Sequence, residues 1–184
     1  TNRNIPIPPD FSSYVLANFD GDFYDVMTLA HELGHAAHWS LLGGSQTWIN
    51  AEPATAVIET VAMFSEFVVS NWMKRQAHDD DDRLALLIGE IENAIETVFT
   101  NAQVHLFVRD VYAAIATGAE PSTDGIAAAW KVRRKTFYPG VIMETDAEVR
   151  WVLEDFLFHD PFGSIVYPLA YLLAGELYEQ YLRD

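Results

Sequence analysis

Residues 22–44 read DFYDVMTLAHELGHAAHWSLLGG, and His31-Glu32-Leu33-Gly34-His35 at their centre decides how the chain is read. A helix turns about 100° and rises about 1.5 Å per residue, which puts His31 and His35 roughly 40° apart on successive turns. Two imidazoles so placed can share one ion, and zinc favours nitrogen donors in a tetrahedral set. Glu32 points about 100° from His31, which leaves its carboxylate free to work on a water at such a metal. The flanks support a helix. Asp20-Gly21 is a turn, Asp22 an N-cap with Asp25 three residues on, and Gly43-Gly44 a stop. Phe23, Val26, Met27, Ala30, Leu33 and Leu41 supply an apolar face for burial.

Downstream, a second helix is expected from Glu52 or Pro53 to about Lys74, since proline suits a first turn. It carries Glu59 and Glu66 inside the apolar run AVIETVAMFSEFVV, residues 56–69. Seven residues bring the two carboxylates within about 20° of each other. Thr55, Ala56 and Ala62 leave that face small enough for another helix to approach. A carboxylate buried without a partner is costly, and a metal ion removes that cost. Glu59 is therefore read as the third ligand, and Glu66 as a carboxylate holding a ligand histidine from behind. His38 shares the histidine face but lies about 7.5 Å beyond the metal along the axis, which suits an outer or substrate contact. Asp25, at the head of the helix, joins that outer set.

The totals narrow the function. The chain has 184 residues, half of them hydrophobic, which predicts one domain with a real core. Eleven basic against 27 acidic residues give a net charge of −16, which argues against nucleic acid or an anionic membrane surface as partners. No apolar run is long enough to span a membrane. With no cysteine, disulfides and thiolate ligands are excluded, and a cytoplasmic location is expected. The first residue is not methionine, the opening is Pro-rich, and the last helix is apolar, so a piece of a longer protein is expected.

The remaining elements follow from local signals. Thr1 to Phe11 should be extended. Ser13 to Phe19 is either a short edge strand able to hold a peptide by strand addition or a plain connection. His78-Asp79-Asp80-Asp81-Asp82 reads as a solvated loop, followed by a long helix from Arg83 to about Thr117. Thr123 to Phe137 is the next helix. Thr145-Asp146-Ala147-Glu148 is a capping box opening a helix to Phe158, and Asp160-Pro161 starts a last helix to about Leu182.

Asp25 through His35, followed by Ala36-Ala37-His38, resembles the zinc helix of oligoendopeptidase F, a relative of thimet oligopeptidase. The family's third ligand is a glutamate some two dozen residues downstream, with a second glutamate seven residues later. Here Glu59 is 24 residues past His35 and Glu66 seven past Glu59. The helix order, through Glu90-Ile91-Glu92-Asn93 to the closing Tyr-containing helix, is similar as well. The resemblance implies a mainly α, multi-helix zincin-like (gluzincin) catalytic domain over residues 1–184, with at most one short edge strand, from a larger two-lobed enzyme. It also implies that His159, Tyr167 and Tyr171 line the cleft and stabilise the oxyanion, although Pro168 between the tyrosines should kink their helix. Aromatic packing is the alternative for these three.

The implied activity is zinc-dependent hydrolysis of internal bonds in short peptides, with one zinc per chain held by His31, His35 and Glu59 and with Glu32 as general base. A metzincin is excluded, because that pattern needs Gly and His where this chain has His38 and Leu41. The competing reading is a truncated, non-catalytic zinc-bearing module that binds peptides or partners. The apolar terminal helix further predicts a homodimer.

Overall fold

In the computed structural model, residues 3–7, 12–50, 53–141 and 149–184 are described. The chain divides into two compact units. One comprises residues 1–94 and 169–184, the other residues 95–168.

The first unit begins with two strands where one was expected. β1 (Arg3–Ile7) pairs antiparallel with β2 (Ser12–Leu16), and the Asn4 amide donates to Ser13 Oγ at 2.9 Å. A Pro-rich stretch signals extended backbone but does not by itself mark a pairing partner. Both strands pack on α1 (Phe23–Gly43). This helix starts where the sequence places it. Asp22 Oδ1 accepts the N–H of Asp25, and the preceding turn places Gly21 at φ 97°, a value that glycine adopts without strain. At the far end Gly44 stays right-handed, so the helix stops without a left-handed glycine. α1 buries Met27, Ala30 and Gly34, whereas Leu33 and Leu41 are exposed despite their expected burial. Leu33 stands about 100° around the helix from Gly34, off the packed side.

α2 (Thr55–Gln76) makes the most extensive helix–helix contact of the unit, against α1. It starts two or three residues later than expected, and Glu52 lies outside the described residues. A Cβ on Gly34 would stand 2.8 Å from the Ala62 Cα, so the two backbones meet where only glycine fits. α3 (Asp80–Ala94) starts inside the acidic run that was expected to be loop. Asp79 Oδ1 accepts from the N–H of Asp82, and Asp80, Asp81 and Asp82 fill the first turn, where negative charge suits the helix dipole. The end of α7 (Val166–Tyr181) completes the unit. Its Tyr171 and Tyr178 rings lie 5.0 and 5.9 Å from Phe67, and the Asn71 amide donates to Tyr178 Oη at 2.5 Å.

The long helix expected from Arg83 to Thr117 is interrupted. After α3 the chain widens into a π-helical stretch, Ile95–Thr100, before α4 (Asn101–Ala116). Asn101 Nδ2 donates to the carbonyls of Glu96 and Thr97, both at 3.2 Å, and so competes for acceptors of the regular ladder. The unit boundary falls at Ile95.

The second unit has the larger side chains in its core: Val104, Phe107, Val108 and Val111 of α4 packed with Trp130 of α5 (Thr123–Phe137), Trp151 and Leu157. Phe107 and Trp130 meet edge to face at 5.0 Å. The capping box at residues 145–148 lies outside the described residues. The helix expected from it to Phe158 is observed as a 3₁₀ turn, Arg150–Leu153, and the single turn of α6, Asp155–Phe158. Phe162 at φ 77° then breaks the path, and α7 starts only at Val166. This places Pro168 in the first turn, where its missing N–H costs nothing, so the expected kink has no cause.

Candidate metal centre

The α1–α2 contact brings His31, His35 and Glu59 together. One ligand atom from each lies within 4.8 Å of the others, and this is the one such cluster among the described residues. His31 Nε2 is 3.2 Å from Glu59 Oε2, and His35 Nε2 is 4.0 Å from the same oxygen. Donors at zinc distances around a tetrahedron stand about 3.3–3.5 Å apart, close to the His31–Glu59 separation and somewhat inside the His35–Glu59 one. Glu59 Oε2 is buried without a well-directed hydrogen bond, despite its closeness to both rings, and His35 Nδ1 is also buried without one. An orphaned carboxylate oxygen between two imidazoles is what a cation would satisfy. The residues fit the metal.

Glu66 stands at the other nitrogen of His31. Its Oε1 is 2.6 Å from His31 Nδ1, and its Oε2 accepts from Asn93 Nδ2 at 3.1 Å. A proton on Nδ1 leaves the Nε2 lone pair facing Glu59 and His35. Burial works against a charged His31, but Glu59 and Glu66, one at each nitrogen, outweigh it and lift the imidazole to about 10. His35 goes the other way, pulled down by burial and then by the charge on His31. The cluster thus keeps one proton of its own, at the place a divalent ion would take.

Glu32 is buried beside these groups. Burial raises its pKa, the charge on Glu59 raises it further, and the charge on His31 and the backbone N–H of Asn4 on β1 act against this rise. The hairpin therefore touches the site through Asn4, a contact with no signal in the sequence. His38 is half-buried, and burial lowers its pKa. Asp25 holds the entry to α1, where its carboxylate accepts the N–H groups of Asp20 and Gly21 at 2.6 and 2.9 Å.

Of the three residues expected to stabilise an oxyanion, Tyr171 belongs to the first unit and His159 and Tyr167 to the second. Tyr171 lines a cleft of about 330 Å³ with Glu66, Ser70, Lys74, Glu90 and Asn93. Burial first, and then the charges of Glu66 and Glu90, push its hydroxyl up to about 12. Of the carboxylates whose charge acts on it, Glu66 is the one at Nδ1 of His31. In the second unit His159 is exposed, 3.4 Å from Asp155, and the Tyr167 ring lies 5.9 Å from Phe156.

Compared with known families, residues 11–182 match the model of peptidase family M3. The chain belongs to peptidase family M3. Among curated members, it is 21% identical over 142 residues to "Oligoendopeptidase F, chromosomal" of Lactococcus lactis subsp. cremoris, covering 77% of this chain and 23% of that protein. Against "Oligopeptidase PepF" of Bacillus subtilis (strain 168), it is 21% identical over 173 residues, 93% of this chain and 26% of the relative. "Oligoendopeptidase F homolog" of Lactococcus lactis subsp. lactis (strain IL1403) is 26% identical over 109 residues, 59% of this chain and 18% of that one. The chain thus spans about a quarter or less of these M3 relatives. No solved structure matches it.

Proposed function

We propose that this M3 chain carries the zinc-binding, bond-cleaving part of an endopeptidase acting on short peptides. The observation that carries the proposal is the orphaned Glu59 Oε2 between His31 Nε2 and His35 Nε2. Zinc, when bound, supplies the Lewis acidity that makes a water nucleophilic near neutral pH. His31, His35 and Glu59 hold it, and Glu66 fixes the ring of His31. Glu32 takes the proton of the attacking water and returns it to the leaving amine, a task suited to a carboxyl held above its ordinary pKa. His159 and Tyr167 are proposed as oxyanion contacts on the family resemblance alone.

Metal analysis of the parent, His35→Ala and Glu59→Ala, together with turnover of a quenched peptide by the parent and Glu32→Gln, tests the reading. One zinc in the parent and little in the two ligand variants are expected, with full zinc and almost no turnover in Glu32→Gln. Undiminished zinc in Glu59→Ala would move the third ligand elsewhere.

The position of Tyr171 beside Glu66 favours a second reading, a zinc-bearing module that binds peptides without cleaving them. One bound zinc with no turnover by the parent selects it.

A further inference from the structure

We infer that Asn93 is a positioning residue for the metal centre, acting through Glu66 on His31; the inference rests on the metal reading above. Asn93 is the second-last residue of α3, and its amide reaches across to Glu66 on α2, which in turn holds His31 on α1. The torsion at the end of a glutamate is broad. A carboxylate bound at one oxygen therefore swings, whereas one bound at both has its plane fixed. Here the two oxygens have separate partners, His31 Nδ1 at 2.6 Å and Asn93 Nδ2 at 3.1 Å.

The chemistry of the donor matters as much as its place. An amide donates without carrying charge, so Glu66 keeps its full negative charge for the imidazole. The cleft does contain a cation that would compete, Lys74. Its ammonium is instead taken by Glu90, at 2.6 and 2.9 Å from the two oxygens, and Glu90 is further bound by Ser70 at 2.5 Å. Lys74 is thereby kept from neutralising Glu66, and Asn93 supplies the second hydrogen bond at no electrostatic cost to His31.

A double-mutant cycle on the full chain tests this, with zinc affinity read by competition against a chromophoric chelator. Asn93→Ala should weaken zinc by several-fold to about tenfold, the lower end for partners one step outside a ligand. In a Glu66→Ala background the same change should do nothing more. Unchanged affinity in Asn93→Ala, or an equal loss with and without Glu66, overturns the inference. A parent that binds no zinc removes the metal reading and this inference with it, which is a distinct result. If Asn93→Ala unfolds the chain, Asn93→Asp and Asn93→Ser run the same cycle. Asp, a like charge without a donor, must lose affinity, and Ser, which keeps a hydroxyl donor, must retain part of it.

Discussion

Gly34→Ala is the most informative single change, because it separates helix propensity from the helix contact that builds the site. The added Cβ would stand 2.6 Å from Ser65 Oγ, 2.8 Å from the Ala62 Cα and 3.0 Å from Ser65 Cβ. Ser65 can rotate, although its hydroxyl now bonds the Val61 carbonyl at 3.2 Å. The Ala62 Cα is main chain and has no rotamer to give. Carbon contacts settle at about 3.5–4.0 Å, so the helices must part locally by roughly 0.7 Å. Ala in place of Gly inside a helix gains up to about 1 kcal/mol, and overpacking costs about 1–3 kcal/mol, so the metal-free chain should lose roughly 0–2 kcal/mol. The metal should register the change more sharply. Glu59 is less than one turn from Ala62, His31 and His35 flank Gly34, and ligand distances tolerate only about 0.2 Å. Zinc affinity should fall at least tenfold. Thermal unfolding of the metal-free chain and chelator competition measure the two effects. Adding Ser65→Gly should recover only part of each loss, because the Ala62 contact remains. A Gly34→Ala chain that is more stable than the parent and binds zinc equally well would refute the close approach of α1 and α2.

Other outcomes follow from the same geometry. His31 is lifted to about 10 in the metal-free chain, so zinc must displace a proton at neutral pH. Binding should tighten as pH rises towards that value, and calorimetry in buffers of different ionisation enthalpy should show close to one proton released; zero release would mean a neutral His31. For the metal-free chain the charged imidazole contributes its stability below about 6.5, and that contribution fades as pH climbs through about 10. Tyr171→Phe should leave zinc affinity intact and turnover within about tenfold, since Tyr171 lines the cleft of Glu66 and Glu90 and their charges act on its hydroxyl; a loss of about 10²–10³, the size expected for an oxyanion donor, would mark it as one. Leu169, Leu172 and Leu173 of α7 are each at least half exposed, so the chain should self-associate at micromolar concentration in roughly 0.15 M salt. Light scattering should report at least a dimer, and Leu172→Glu should weaken it; a well-behaved parent monomer counts against the exposed face as an interface.

What the sequence discloses about the site depends on the cost each residue would incur without its partner. His31 and His35 are legible because four residues on a helix can only mean neighbouring rings. Glu59 and Glu66 are legible because a carboxylate inside an apolar helix demands a partner, and their seven-residue spacing places both demands on one side. Each is a strong local anomaly that requires no knowledge of the tertiary fold. Asn93 carries no such mark. A neutral amide near the end of a half-exposed helix costs little wherever it points, so its contact with Glu66 becomes visible only once α2 and α3 are packed. Asn4, which reaches Glu32 through its backbone, escapes for a stronger reason, since a main-chain N–H is common to every residue but proline. Tyr171 is a different case. Its aromatic ring and its spacing from Tyr167 invite an active role, but which ring nitrogen of His31 it would stand nearer depends on how α7 lies against α2. The expected and observed helix starts differ for a related reason, because Asp79 and Phe162 act through cap and backbone geometry that composition does not express. The titratable residues of this cluster are thus readable from sequence to the extent that burial makes them expensive, while the neutral groups beside them are cheap, and for that reason silent.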